Sequence, residues 1–188
     1  MSWLDALLGR SRPVKSKLER LFALTTAGIT LEVKAELKPA GRAGICFRPV
    51  TSSDFDATRR EVEDLLAISA KDTTTKVEQT RDKFGYLWIV LEDEDLEDLV
   101  ATAHMISLTL EEHGFGERLL AAVFKFVSKK GPAYWIYNYK RGAFYPFVPR
   151  TGDERDNAEE LRIQAIMAKE MPLEPDLSKW YALWGIPV

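Results

Sequence analysis

Leu96, Leu99, Val100, Ala103, Ile106 and Leu110 recur at intervals of three and four residues, and this period predicts an amphipathic helix closed by Gly114. The acidic run 92–95 just before it suits the positive end of a helix dipole. Immediately upstream the pattern changes. Tyr86, Leu87, Trp88, Ile89, Val90 and Leu91 form an unbroken apolar run, which reads as a strand buried on both faces in the middle of a sheet. Residues 73–81 and 84–92 predict a hairpin around Asp82 and Lys83, and 117–128, 133–139 and 143–148 predict a three-stranded antiparallel meander. Its turns fall at Lys129-Lys130-Gly131-Pro132 and Lys140-Arg141-Gly142. Earlier in the chain, 29–36 and 43–49 read as two strands separated by Pro39-Ala40-Gly41.

Four further helices are expected. Trp3, Leu4, Leu7 and Leu8 mark one, ended by Gly9, and Leu18, Leu21 and Phe22 mark a second after Pro13. A third opens at Ser53, with Phe55, Val62, Leu65 and Leu66 as its stripe and Asp56 as a weakened capping box, and ends near Ser69. The fourth spans about 154–169. Pro172, Pro175 and Pro187 keep the tail irregular, and Trp180, Tyr181 and Trp184 are expected to fold back on the sheet. The order of elements predicts a single α+β domain over 1–188, an antiparallel sheet flanked by helices, with a helical extension at 1–15 and an irregular strap at 171–188.

Composition narrows the function classes. A chain of 188 residues can bury one core, and its formal charge of −3 argues against non-specific nucleic-acid binding. Cys46 is the single cysteine, so a reduced, buried thiol is expected. No apolar run reaches the roughly 20 residues of a membrane span, and no basic segment precedes a leader-like apolar core, so a cytoplasmic location is expected. His104 and His113 are nine residues apart near one predicted helix and have no companion at metal-ligand spacing. No phosphate loop occurs, and Gly114-Phe115-Gly116 lacks the strand-before, helix-after setting of a dinucleotide site. No catalytic residue, cofactor or metal is therefore assigned, and the chain is expected to be a binding protein.

Two places carry binding chemistry. Lys140 and Arg141 sit on a tight turn, with Arg150 and Arg155 beyond the next strand and Tyr139, Phe144 and Tyr145 alongside. Such a turn can hold a small anion, a phospholipid headgroup or an acidic helix of a partner. A charged hairpin tip, with its aromatics inward and Arg150 or Arg155 paired to Asp153 or Asp156, fits the same residues. The termini are the second place. Trp3 and Leu7, followed by Arg10, Arg12, Lys15 and Lys17, could touch an anionic membrane, and Trp180 could join a partner-binding patch if exposed.

Several strings also carry a resemblance: Ser2-Trp3-Leu4-Asp5-Ala6-Leu7-Leu8-Gly9-Arg10, Tyr139-Lys140-Arg141-Gly142-Ala143-Phe144-Tyr145-Pro146-Phe147, Arg155-Asp156-Asn157 with Glu160-Leu161, and Pro175-Asp176-Leu177-Ser178-Lys179-Trp180 with Trp184-Gly185. Across essentially the whole chain the sequence resembles the PspA-associated PspAB family. That resemblance implies an accessory or regulatory role beside PspA, a coiled-coil protein of the phage-shock response to envelope stress, and implies no catalytic residues. The order of elements is also similar to type III secretion chaperone-like and YbjN-like domains, which bind polypeptides in grooves. By the same analogy a homodimer is open, although neither terminus holds a sustained heptad. The expected contact residues are Lys140, Arg141, Arg150 and Trp180 for a PspA-like partner, with Trp3 and Leu7 for peripheral membrane contact. The alternative is a small-anion or phosphate sensor, or an enzyme, built on the Lys140-Arg141 turn.

Overall fold

Along five strands the buried side chains alternate between two separate apolar clusters, so the sheet is covered on both faces. The computed structural model describes residues 17–48 and 74–188, together with positions 60, 63, 64 and 67. Six strands, β1 (Lys38–Phe47), β2 (Lys76–Arg81), β3 (Leu87–Glu92), β4 (Leu119–Ser128), β5 (Gly131–Asn138) and β6 (Ala143–Phe147), pair antiparallel in the order β2-β3-β1-β4-β5-β6. Three α-helices, α1 (Ala23–Ala35), α2 (Leu96–Glu112) and α3 (Asn157–Met167), complete an α+β fold among the described residues.

One face of the sheet carries Ala43, Ile45 and Phe47 of β1, Leu87, Ile89 and Leu91 of β3, and Phe124, Phe126 and Trp135 of β4 and β5. These pack with Leu24 and Leu31 of α1, Leu99 and Ile106 of α2, and Ile163 and Met167 of α3. The opposite face carries Cys46, Trp88, Val90, Val123, Ile136, Tyr145 and Phe147. No helix among the described residues is in that cluster. It is closed by the chain's last segment, through Trp180, Ala182, Leu183, Trp184, Ile186 and Val188. The result is a three-layer arrangement of helices, sheet and strap, which gives both sides of each alternating strand a dry partner.

Local chemistry sets the boundaries. Asp95 caps α2 by accepting from the Glu97 N–H, with Glu97 and Asp98 in the first turn, and the chain turns away at Gly114, φ +84°. Asp82 organises the β2–β3 turn, accepting from the N–H groups of Phe84 and Tyr86 while its other oxygen takes the indole N–H of Trp88 at 2.9 Å. Gly44 sits where the strap presses closest: a Cβ there would lie 2.6 Å from Val188 and 3.2 Å from the Trp88 ring.

The upstream pattern folds differently from its sequence reading. Residues 29–35 continue α1, so the expected first strand is helix, and the chain enters it through a 3₁₀ segment, Lys17–Phe22. Pro39-Ala40-Gly41 does not divide two strands either. It lies inside β1, absorbed by a register shift between Pro39 and Ala43 against β4. The helix stops at Glu36, φ +58°, whose N–H bonds back to Leu31. Of the helix expected over 53–69, positions 60, 63, 64 and 67 are helical and the rest lies outside the described residues, as does the helix expected over 2–9. No helix among the described residues is long and apolar enough to cross a membrane.

Trp88 is central to the strap face and is 1% exposed. Trp88→Ala should lower stability by about 3–5 kcal/mol, the usual range for emptying a buried aromatic site. Denaturant titration measures this, and a midpoint unchanged from wild type contradicts the assigned packing.

Candidate functional site: a basic groove walled by the strap

Two arginines hold the strap in place. Arg155 donates to both carboxylate oxygens of Glu160 on α3 at 3.0 Å, to the Trp180 carbonyl at 2.8 Å, and lies 5.6 Å from the Phe147 ring centroid. One side chain thus ties helix, sheet edge and strap. Glu160 is 1% exposed and also accepts the Val148 N–H. Burial pushes its carboxyl up, and Arg155 and the Val148 N–H pull it back. The second arginine is Arg141. Its guanidinium forks onto Glu174, Nε to one oxygen and Nη2 to the other at 2.9 Å.

Glu174 is 2% exposed and in turn fixes the strap's course. Its backbone N–H donates to Phe144 and its side chain accepts the Asp176 N–H. Its carbonyl takes the indole N–H of Trp180 at 3.0 Å. The Arg141 bond is the main reason the Glu174 carboxyl is held below its ordinary range.

The Arg141–Glu174 clamp stands in the wall of a cavity of about 670 Å³. Its walls are the 3₁₀ segment, the β5–β6 turn and the strap, and they bring together Lys17, Arg20, Lys140, Arg141 and Lys179. The 3₁₀ segment is fastened to the turn: Lys17 Nζ donates to the Lys140 carbonyl at 2.7 Å and Arg20 to the Gly142 carbonyl at 3.1 Å. The Tyr137 hydroxyl donates to the Lys17 carbonyl from below. Gly142 has φ +67°, and a Cβ there would meet the Lys17 stem at 2.8 Å, so glycine serves both the turn and the approach of the lysine. Among the described residues the groove lining contains one carboxylate, Glu174, which Arg141 occupies. Asp176 stands nearby with its side chain accepting the Ser178 N–H. Neither Lys140 nor Lys179 is paired to a carboxylate among the described residues.

The structure thus distributes the expected contact residues unequally. Lys140 is exposed at the groove, and Arg141 lines it with its fork on Glu174. Arg150 is elsewhere, bonded to Asp156 at 2.6 Å beside α3. Trp180 folds back on the sheet as the sequence pattern predicts and is therefore not the exposed contact residue also expected: it is 6% exposed and stacked on Tyr145, because the apolar strap face of the sheet needs a cover. Trp3 and Leu7 lie outside the described residues. Lys17, Arg20 and Lys179 are groove residues that sequence order did not connect to Lys140, since their separations along the chain carry no periodic signal. His104 rests against Phe22, and no group of three or more potential metal ligands occurs among the described residues.

Because the folded Glu174 carboxyl is lowered, its contribution to stability is complete above the ordinary glutamate value, about 4.3, and is lost as pH falls through the lowered folded value. Glu160, shifted upward, contributes with the opposite sign. Glu174→Gln should therefore reduce stability at neutral pH and flatten the loss seen on acidification, a difference read from urea midpoints at a series of pH values. Parallel curves for the two proteins contradict this role. Glu160→Ala, which strands Arg155 and the Val148 N–H in the interior, should cost about 3–5 kcal/mol at neutral pH.

No curated protein and no solved structure matches the chain. The family model described as "PspA associated protein B" matches residues 1–188. The resemblance seen in its terminal strings thus extends over the full length, and the chain belongs to the PspA associated protein B family.

Proposed function

We propose that the protein is a non-catalytic accessory protein of the phage-shock response to envelope stress, and that it acts by binding PspA or a component that works with PspA through the basic groove. The family name supports the association with PspA. The observation that carries the contact surface is a reversal of charge: in a chain of net charge −3, the described residues that line this cavity include five cationic side chains against a single, already paired carboxylate. A local field of that sign attracts and orients an acidic partner without help from the rest of the surface. The cations stand on three separate pieces of chain locked by hydrogen bonds, so the donors are arranged before a partner arrives.

Lys140 and Lys179 are the positions to reverse, since Arg141 also anchors the strap. The Lys140→Glu/Lys179→Glu variant should keep its thermal melting, surface changes commonly shifting stability by about 0.5 kcal/mol or less. Its co-elution with PspA on a sizing column should be lost at both low and moderate salt, while the wild-type complex weakens as salt rises. A well-folded double variant that co-elutes like wild type at both salt concentrations overturns the proposal.

A further inference from the structure

We infer that the group this groove accepts is a phosphate ester. The inference rests on the reading of the groove as the contact surface and names the chemistry it selects. The lining offers donors almost exclusively: the ammonium groups of Lys17, Lys140 and Lys179, the Arg20 guanidinium, and Asn138. Asn138 commits both its oxygens to the turn, its carbonyl to the N–H groups of Arg141 and Gly142 and its Oδ1 to Arg141 N–H, which leaves the side-chain NH₂ to donate.

The choice between carboxylate and phosphate turns on the arginines. A guanidinium fork is the side chain that matches a planar carboxylate with two parallel hydrogen bonds. Arg141 makes that match with Glu174, and Arg20 directs one nitrogen at the Gly142 carbonyl. What remains is dominated by three lysines, compact charges that impose no planar geometry. A tetrahedral group with up to two negative charges and three terminal oxygens can accept from more such donors at once than a single carboxylate, which has one charge and two oxygens. Phosphate alone is small for about 670 Å³, so the remaining volume suits an ester with an attached body. The Lys17 ammonium is already positioned by the Lys140 carbonyl, and its stem is packed on Gly142.

The test titrates the full chain calorimetrically with glycerol 3-phosphate, with inorganic phosphate, and with glutarate as a dicarboxylate of comparable charge. Glycerol 3-phosphate is expected to bind at least about tenfold more tightly than glutarate, and Lys140→Gln/Lys179→Gln to weaken it by about tenfold or more with melting unchanged. Flotation with vesicles containing phosphatidic acid identifies the source. Vesicle binding that glycerol 3-phosphate displaces assigns a lipid headgroup, and ester binding without vesicle binding assigns a soluble phosphate ester. Glutarate binding as tightly as the ester, no binding of any phosphate, or an unaffected double variant overturns the inference. Failure here is separable from failure of the proposed function. Loss of PspA co-elution in the charge-reversed variant without phosphate binding leaves the proposed function standing, whereas phosphate binding with co-elution intact in that variant removes it and leaves the site.

Discussion

A sheet that is apolar on both faces has to be covered twice, and among the described residues α1, α2 and α3 all pack on one of them. Trp88, Val90, Val123, Ile136, Tyr145 and Phe147 point away from α1, α2 and α3, and the irregular segment from Pro172 onward shields them from water. An irregular segment gives up many conformations when it settles on a surface, at roughly 1–2 kcal/mol per residue of backbone. Aromatic burial offsets part of that cost, and directional bonds at fixed points do the rest. Those points are the Arg155 bond to the Trp180 carbonyl, the Arg141 fork on Glu174, the parallel bridge of Leu173 to Phe144, and the seat of Val188 over Gly44.

The Arg141 fork on Glu174 also stands in the wall of the groove. Pro172, Leu173, Glu174, Pro175, Lys179 and Tyr181 belong to the strap and line the cavity, so the site has a wall only while the strap is docked. Arg141 thereby has two consequences: it neutralises the carboxylate that would otherwise oppose an anion, and it holds in position the backbone that carries Lys179 to the rim. Asp176 assists by capping the short turn Leu177–Lys179 through the Ser178 N–H.

Much of the fold was legible because strands and helices leave short-range periods. The β2–β3 hairpin, the β4–β5–β6 meander and α2 follow directly from alternation, from the apolar run 86–91 and from the three-and-four spacing after Asp95. The stretch 29–43 was not. Ile29, Val33 and Leu37 look like strand residues by propensity, yet α1 contains the first two with their side chains largely exposed, since packing of Leu24, Ala27, Leu31 and Ala35 on the sheet decides the outcome. Pro39 is tolerated within β1 because the ladder to β4 shifts register there. For the site, the basic turn was visible at Lys140 and Arg141. Its partners were not, because Lys17 is 123 residues from Lys140 and meets it only through a backbone carbonyl. Arg150 and Arg155 show the limit of reading charge from sequence: Arg150 pairs with Asp156, as in the charged-hairpin alternative, whereas Arg155 pairs with Glu160, a partner that alternative does not name.

The distribution of ion pairs sets the groove apart from several other basic positions among the described residues. Lys130 and Arg162 share Glu159, Arg42 meets Glu92, and Lys38 meets Glu32, so their charges are balanced where they stand. Exposed pairs of this kind contribute little to stability, but they cancel the local field that an anion would feel. At the groove Arg141 is paired with Glu174 and Asp176 lies close enough to feel Lys179, while Lys17 and Arg20 are fixed by carbonyl oxygens that position them without removing their charge. A carbonyl partner costs a lysine one of its three protons and leaves two for a ligand. The electrostatic capacity of the site is therefore a product of how the strap and the 3₁₀ segment are fastened, through backbone acceptors on one side and a single buried carboxylate on the other.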